Sequence, residues 1–409
     1  MRRALRSAPL ALLAAVAVAE VAVLLLRPRG GVLEPAPVDL GAYFTPAQLT
    51  RADRYRDGQL ALYGGSLAVQ AGVFAWLVIR LRSAASRPYR RPLLAAAFAG
   101  AGVSLAVAAA TLPLDAVAHR RAIDIGLVTR PWGGWAWDVG RSAAIGAVFA
   151  AVGAAVAIAL MRRLPRGWWA AGATLVVLAG AAFAFAGPLV LDPLFNRFER
   201  LGPGPLRSEV MRLARRAGVD VGEVFVVDAS RRTTAANAYV TGLGSSKRVV
   251  LYDTLVDEFP PVETHLVVAH ELAHVRYRDV RRAILFLALV APLGMLAAAR
   301  LTRAWAPAGD DPPGARSVPA LLASIALASL LLGIVSNQLS RRVEARADTF
   351  ALELTGEARP FVDQQRRLAV QNVSNPDPPA IARFLLGTHP TARERIGVGL
   401  AWESGRRPG

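Results

Sequence analysis

The sequence predicts a mostly α-helical, polytopic membrane protein with a smaller α+β segment outside the bilayer. Three observations carry that prediction. Of the 409 residues, 54% are hydrophobic and 19% are charged, against about 45–50% and about 25% in soluble chains. The apolar residues gather into seven runs, each meeting or approaching the roughly 20 residues that span a hydrocarbon core of about 30 Å as a helix. A long, mixed and charged block separates the fifth run from the sixth. This composition excludes an intrinsically disordered chain. The absence of cysteine excludes disulfides, iron–sulfur clusters and thiolate ligands or nucleophiles.

The runs are residues 8–26, 60–79, 92–114, 142–161, 168–191, 283–299 and 318–335. They divide the chain into a five-span membrane region (1–191), a catalytic-type α+β segment (192–282), a transmembrane hairpin (283–335) and a polar C-terminal segment (336–409). The first run follows Arg2, Arg3 and Arg6 and holds small residues near Ala17 and Ala19, flanks that also suit a cleaved signal peptide. It resumes after Glu20 and continues to Leu26, as a span would. Glu20 is either a functional intramembrane carboxylate or one lying on a helix face. The formal net charge is +18, and Lys247 is the only lysine. The arginines cluster beside apolar runs and read as membrane flanks, not as a nucleic-acid surface. Counted over short loops, Arg80, Arg87, Arg91, Arg162 and Arg166 favour their own side as cytoplasmic, whereas Arg281, Arg282, Arg341 and Arg342 pull the other way. Trp132, Trp135 and Trp137 fall in the loop after the third span, as an interfacial aromatic cluster.

Within the polar block, residues 205–217 have helical spacing, with Leu206, Val210, Leu213 and Ala214 on one face. Strands are expected at 221–227, 238–243 and 248–252, the last two joined by a turn over Gly244, Ser245, Ser246 and Lys247. Pro261 opens a helix expected to reach Asp279, with Glu263 in its first turn.

That helix contains HELAH, residues 270–274. Residues four apart share a helix face, so His270 and His274 can reach one ion. Glu271 lies beside that face and can act on water without being a ligand. Nitrogen and oxygen donors with one open position suit Zn²⁺, one per chain. His265 is off the face and reads as structural. Catalytic zinc usually has three protein ligands, and without cysteine the third is a carboxylate or another histidine. Glu344 is the best candidate, because the hairpin crosses the bilayer twice and returns it to the side of the histidines. Asp348, four residues on, shares its face and can fix a ligand histidine's tautomer. Glu271 would move a water proton to the leaving amine. His389 and Arg395 are candidate donors to the developing oxyanion.

These residues resemble the type 1 CAAX prenyl protease class of membrane zinc peptidases, related more distantly to the heat-shock membrane protease HtpX. The specific matches are DPLFNRF from Asp192, TAANAY from Thr234, RVVLYDTL from Arg248, HELAH from His270, SRRVEARAD from Ser340 and THPTARER from Thr388. The resemblance implies a zincin-like catalytic domain with a small β-sheet. It puts the zinc ligands on His270, His274 and Glu344, the catalytic glutamate on Glu271 and the aspartate behind a ligand on Asp348. Asn237 falls beside the substrate-binding edge strand, and His389 and Arg395 near the reaction centre. It also implies seven helices around a chamber and a site facing the cytosol. The substrate would be a peptide or membrane protein, in contact with the lipid bilayer. Arginine-heavy usage suggests a GC-rich bacterial genome, where prenylated substrates are not expected, so the peptidase chemistry carries over without CAAX processing. Two other readings remain: a catalytically silent relative that binds peptides or partners, and a transporter or receptor with a structural metal. Intact Glu271 speaks against the first and the scarcity of intramembrane charge against the second. The sequence leaves the oligomeric state open.

Overall fold

The computed structural model describes residues 2–82, 89–242, 247–307, 310 and 312–408. In chain order the membrane helices begin with α1 (Arg2–Leu26), α2 (Pro46–Arg82), α3 (Pro92–Asp124), α4 (Trp132–Arg163) and α5 (Trp168–Val190). A single turn, α6 (Asp192–Phe195), leads into the polar block. There β1 (Phe198–Arg200), α7 (Pro205–Arg216), β2 (Glu223–Val227), β3 (Ala238–Thr241) and β4 (Arg248–Tyr252) precede α8 (Asp253–Glu258) and α9 (Pro261–Arg276). The hairpin is α10 (Asp279–Trp305) and α11 (Val318–Thr355), and α12 (Ala358–Gln371), α13 (Ala380–Leu386) and α14 (Ala392–Glu403) follow. Seven helices among the described residues are long and apolar enough to cross a membrane: α1 to α5, α10 and α11.

Several helices outrun their apolar runs. α2 starts at Pro46, fourteen residues before Leu60, and α11 continues twenty residues past Val335. A helix needs apolar side chains only where it meets lipid, so its polar continuation leaves no hydropathy signal. Trp132, Trp135 and Trp137 correct the sequence reading: they lie in the first turns of α4, not in a loop. Trp135 stacks on His119 of α3 with ring centroids 5.1 Å apart. Gly100 lets α3 and α4 approach closely, since a Cβ there would meet the Ala150 carbonyl oxygen at 2.3 Å. Small residues at such crossings are the usual means of packing helices in lipid. Glu20 lies at the α1–α11 contact, where its carboxylate accepts a hydrogen bond from Gln338 Nε2 at 2.8 Å.

The sheet has four strands in the order β1-β2-β4-β3. β2 and β4 are parallel, and β1 and β3 pair antiparallel at the two edges. β2 begins two residues later than expected, and β3 is described to Thr241, with Leu243 of its expected end outside the described residues. Gly244, Ser245 and Ser246 of the expected turn, and Arg87 of the charge count, lie outside the described residues. The main core of the extramembrane lobe joins Val210 and Leu213 of α7, Val249 and Leu251 of β4, Leu266 and Leu272 of α9 and Leu352 of α11. Each fully buried leucine there contributes about 1.5–3 kcal/mol relative to exposure, which fixes α9 against the sheet. Leu33, from the link between α1 and α2, belongs to the same core, and its N–H donates to Thr349 Oγ1 at 3.0 Å. The segments separated by sequence therefore interlock on one side of the spans.

Candidate metal centre

α9 brings His270 and Glu271 to the wall of a cavity of about 1000 Å³ that is also lined by Arg56, Tyr63, Asn237, His389 and Arg395. The helix stops at Arg276, earlier than expected. Arg278 takes φ 58°, and α10 restarts at Asp279 in a new direction.

α11 delivers Glu344 to the two imidazoles. His270 Nε2 lies 3.1 Å from Glu344 Oε2, and His274 Nε2 lies 3.6 Å from Glu344 Oε1. The imidazole rings cross nearly at right angles with centroids 5.1 Å apart. The outer nitrogens face other carboxylates: His270 Nδ1 lies 2.9 Å from Asp348 Oδ1, and His274 Nδ1 lies 3.1 Å from Asp279 Oδ2. A carboxylate behind each Nδ1 holds its proton there and leaves the Nε2 lone pair facing Glu344. Two aimed imidazole nitrogens and a carboxylate with one oxygen toward each suit a divalent cation of borderline softness. Glu271 also brings an oxygen within 4.8 Å of the imidazole nitrogens. It makes no hydrogen bond among the described residues, whereas Glu344 faces both Nε2 atoms, so Glu344 fits better as the third ligand.

Burial alone would lower the His270 pKa, but the Asp348 and Glu344 carboxylates override it and push it up. Burial pushes the Glu271 carboxyl above the usual glutamate range, opposed by His270 and His274. His265 points elsewhere, with Nδ1 3.8 Å from Glu209 Oε1, and burial lowers its pKa.

His389 and Arg395 come from the C-terminal segment. Thr391 caps α14, its hydroxyl accepting from the Glu394 N–H at 3.2 Å while Glu394 Oε2 accepts from the Thr391 N–H at 2.8 Å. This reciprocal cap fixes the chain between the two residues. His389, half exposed, places Nδ1 2.9 Å from Glu344 Oε2. Arg395 turns its guanidinium to Asp348, with Nε donating to Oδ2 at 2.9 Å and Nη2 bonding the other oxygen. Its charge thus reaches the site through Asp348 and His270. Asn237, immediately before β3, is exposed in the same cavity.

Asp279 was not legible in the sequence. On an unbroken helix it would lie about 140° around from His274. The break at Tyr277 and Arg278 brings it back, and Arg346 Nη2 at 2.7 Å and Arg282 hold its other oxygen. A carboxylate just beyond a short helix break is the only signal that could have pointed to it.

Comparison with known proteins adds a family and a fold. The model of peptidase family M48 matches residues 203–401. The metalloprotease YhfN of Bacillus subtilis, described as uncharacterized, is 31% identical over 301 residues, 72% of this chain and 70% of that one. A CAAX prenyl protease 1 homologue of Arabidopsis thaliana is 32% identical over 221 residues, and this chain spans 50% of its length. The crystal structure of Ste24p from S. mikatae superposes with a TM-score of 0.73, covering 96% of this chain and 98% of that one at 18% identity, a likeness of fold. The chain is a multi-pass membrane protein of peptidase family M48, among the members that resemble the CAAX prenyl proteases.

Proposed function

We propose that this metallopeptidase is a zinc endopeptidase that hydrolyses peptide bonds in peptide or membrane-protein substrates at a site on the cytoplasmic side. One observation carries the reading: two imidazole nitrogens from one helix and a carboxylate from another converge within 3.1 and 3.6 Å, with Glu271 beside them. His270, His274 and Glu344 would hold one Zn²⁺. Zinc supplies Lewis acidity, lowering the pKa of water towards about 7 and polarising a carbonyl.

The remaining steps fall to the protein. Glu271, which makes no hydrogen bond among the described residues, accepts the proton of the attacking water on its carboxylate and returns it to the leaving nitrogen. Burial of the carboxyl strengthens it as a base relative to a solvated glutamate. Asp348 and Asp279 keep both imidazoles in the tautomer with Nε2 bare. Arg395 neutralises Asp348, and His389 faces the reaction centre from the cavity rim as a donor to developing negative charge. Asn237 and the edge of β3 receive the substrate backbone by strand addition.

The test is the purified protein in detergent, with zinc stoichiometry by mass spectrometry and cleavage of a peptide library. Glu271→Gln should keep zinc and lose cleavage. His270→Ala should lose zinc. Cleavage persisting in Glu271→Gln would overturn the mechanism, and unchanged zinc in His270→Ala would overturn the ligand set.

A further inference from the structure

β3 pairs with β4 on one side only, and its other side is the free edge of the sheet. The Tyr252 N–H donates to the Asn237 carbonyl at 3.0 Å, and Tyr239 faces Val250 in the antiparallel register. Alternation along such a pair turns the backbone groups of Asn237, Tyr239 and Thr241 toward β4, and those of Ala236, Ala238 and Val240 toward the free edge. A peptide that extends the sheet must use the second set.

The backbone just before β3 is already taken. The Thr234 N–H donates to the Leu127 carbonyl at 3.1 Å, and the Thr234 carbonyl accepts from Gln371 Nε2 at 2.8 Å. The Ala235 N–H reaches Thr233 Oγ1 at 3.0 Å, and the Ala235 carbonyl accepts from Thr254 Oγ1 at 2.8 Å. At Ala236, one side chain takes both groups. Asn372 Oδ1 accepts the Ala236 N–H at 3.1 Å, and Asn372 Nδ2 donates to the Ala236 carbonyl at 3.4 Å. A neighbouring strand would make that same pair of bonds. Among the described residues, the edge-facing groups of Ala238 and Val240 have no such partner.

Asn372 is held firmly in this role. It follows α12, and Arg56 of α2 donates from Nη2 to its carbonyl and from Nε to that of Val373, both at 2.7 Å. Val373 adopts φ 46°, a left-handed conformation that is costly for a β-branched side chain. Such strain persists where the surroundings enforce it, often at functional sites. Asn372, Ala236, Asn237 and Glu271 line the same cavity.

We propose that Asn372 is a specificity-determining residue: its side-chain amide stands in for a substrate peptide group on the sheet edge, so that a bound peptide pairs with Ala238 and Val240 and leaves the sheet at Ala236. The protein's own amide then sets the register of an extended peptide against Glu271. The inference takes its ligand class, extended peptides, from the peptidase reading, but its test does not use hydrolysis.

Random octapeptides are selected on zinc-loaded Glu271→Gln protein. The best binder is resynthesised as a series with one backbone amide methylated at a time, and each affinity is read by fluorescence anisotropy. In Glu271→Gln, methylation should weaken binding about 3- to 10-fold only at positions that pair with Ala238 and Val240, the range expected for one net backbone hydrogen bond. In Glu271→Gln with Asn372→Ala, one more sensitive position should appear, two residues along toward Ala236. Asn372→Asp frees only the Ala236 carbonyl, should show the same added position with a smaller effect, and carries the test if Asn372→Ala does not fold. Identical methylation profiles with and without the Asn372 change, or a third sensitive position already present before it, overturn the proposal, as does a failure to select any binder. Wild-type protein that binds but does not cleave the selected peptide overturns the peptidase reading alone.

Discussion

Replacing Glu271 by glutamine keeps the shape of the side chain and removes the base. General-base catalysis is worth about 10²–10⁴-fold, so turnover should fall by at least that much while zinc content stays at one per chain. Asp279 should fail in the opposite order. It meets the proposed centre only at the back of His274, so Asp279→Asn should weaken metal affinity by about 10–100-fold, measured by chelator competition, before any effect on the cleaved bond. The two residues also differ in how far the sequence revealed them. His270, Glu271 and His274 are legible because helical spacing alone puts two of the chain's five histidines on one helix face with a glutamate beside them. Asp279 depends on a break at Arg278, and Asn372 on a backbone contact more than a hundred residues away in the chain. Neither leaves a local pattern.

At the scale of elements, α11 is the part on which the site depends. It is one unbroken helix of 38 residues that crosses the bilayer and then presents Glu344 and Asp348. Inserting a single residue after Leu339 would rotate everything beyond it by about 100° and advance it about 1.5 Å. Such a variant should still insert in the membrane yet bind no zinc, as checked by metal analysis of the detergent-purified protein. The α3–α4 crossing offers a contrast with no bearing on chemistry. Gly100→Leu forces a side chain onto the Ala150 carbonyl, and overpacking of this kind costs about 1–3 kcal/mol, read as a lower melting temperature with metal content unchanged. The spans themselves were legible because lipid demands an apolar surface. The polar ends of α2 and α11 were not, because helices outside lipid carry no such demand.

The molecule as a whole places its peptidase lobe where the link between α1 and α2, the turn after α3, the polar block and the C-terminal segment all meet. A metal held by the proposed ligands would tie several of these parts together, since His270 and His274 come from α9, Glu344 and Asp348 from α11 and Asp279 from α10. A cation bound at about 100 times its dissociation constant stabilises the folded state by about 2.7 kcal/mol. Chelation should therefore lower the melting temperature of the wild type, zinc should restore it, and His270→Ala should respond to neither.

In chain order, the Arg395–Asp348 clamp is the last brace to reach the proposed centre. His270, His274 and Glu344 precede α14, which carries the arginine that neutralises the carboxylate behind His270. A chain cut before α14 would therefore keep the proposed ligands and lose that electrostatic brace. Its zinc content and peptide cleavage, compared with those of the 409-residue chain, would measure what the brace adds.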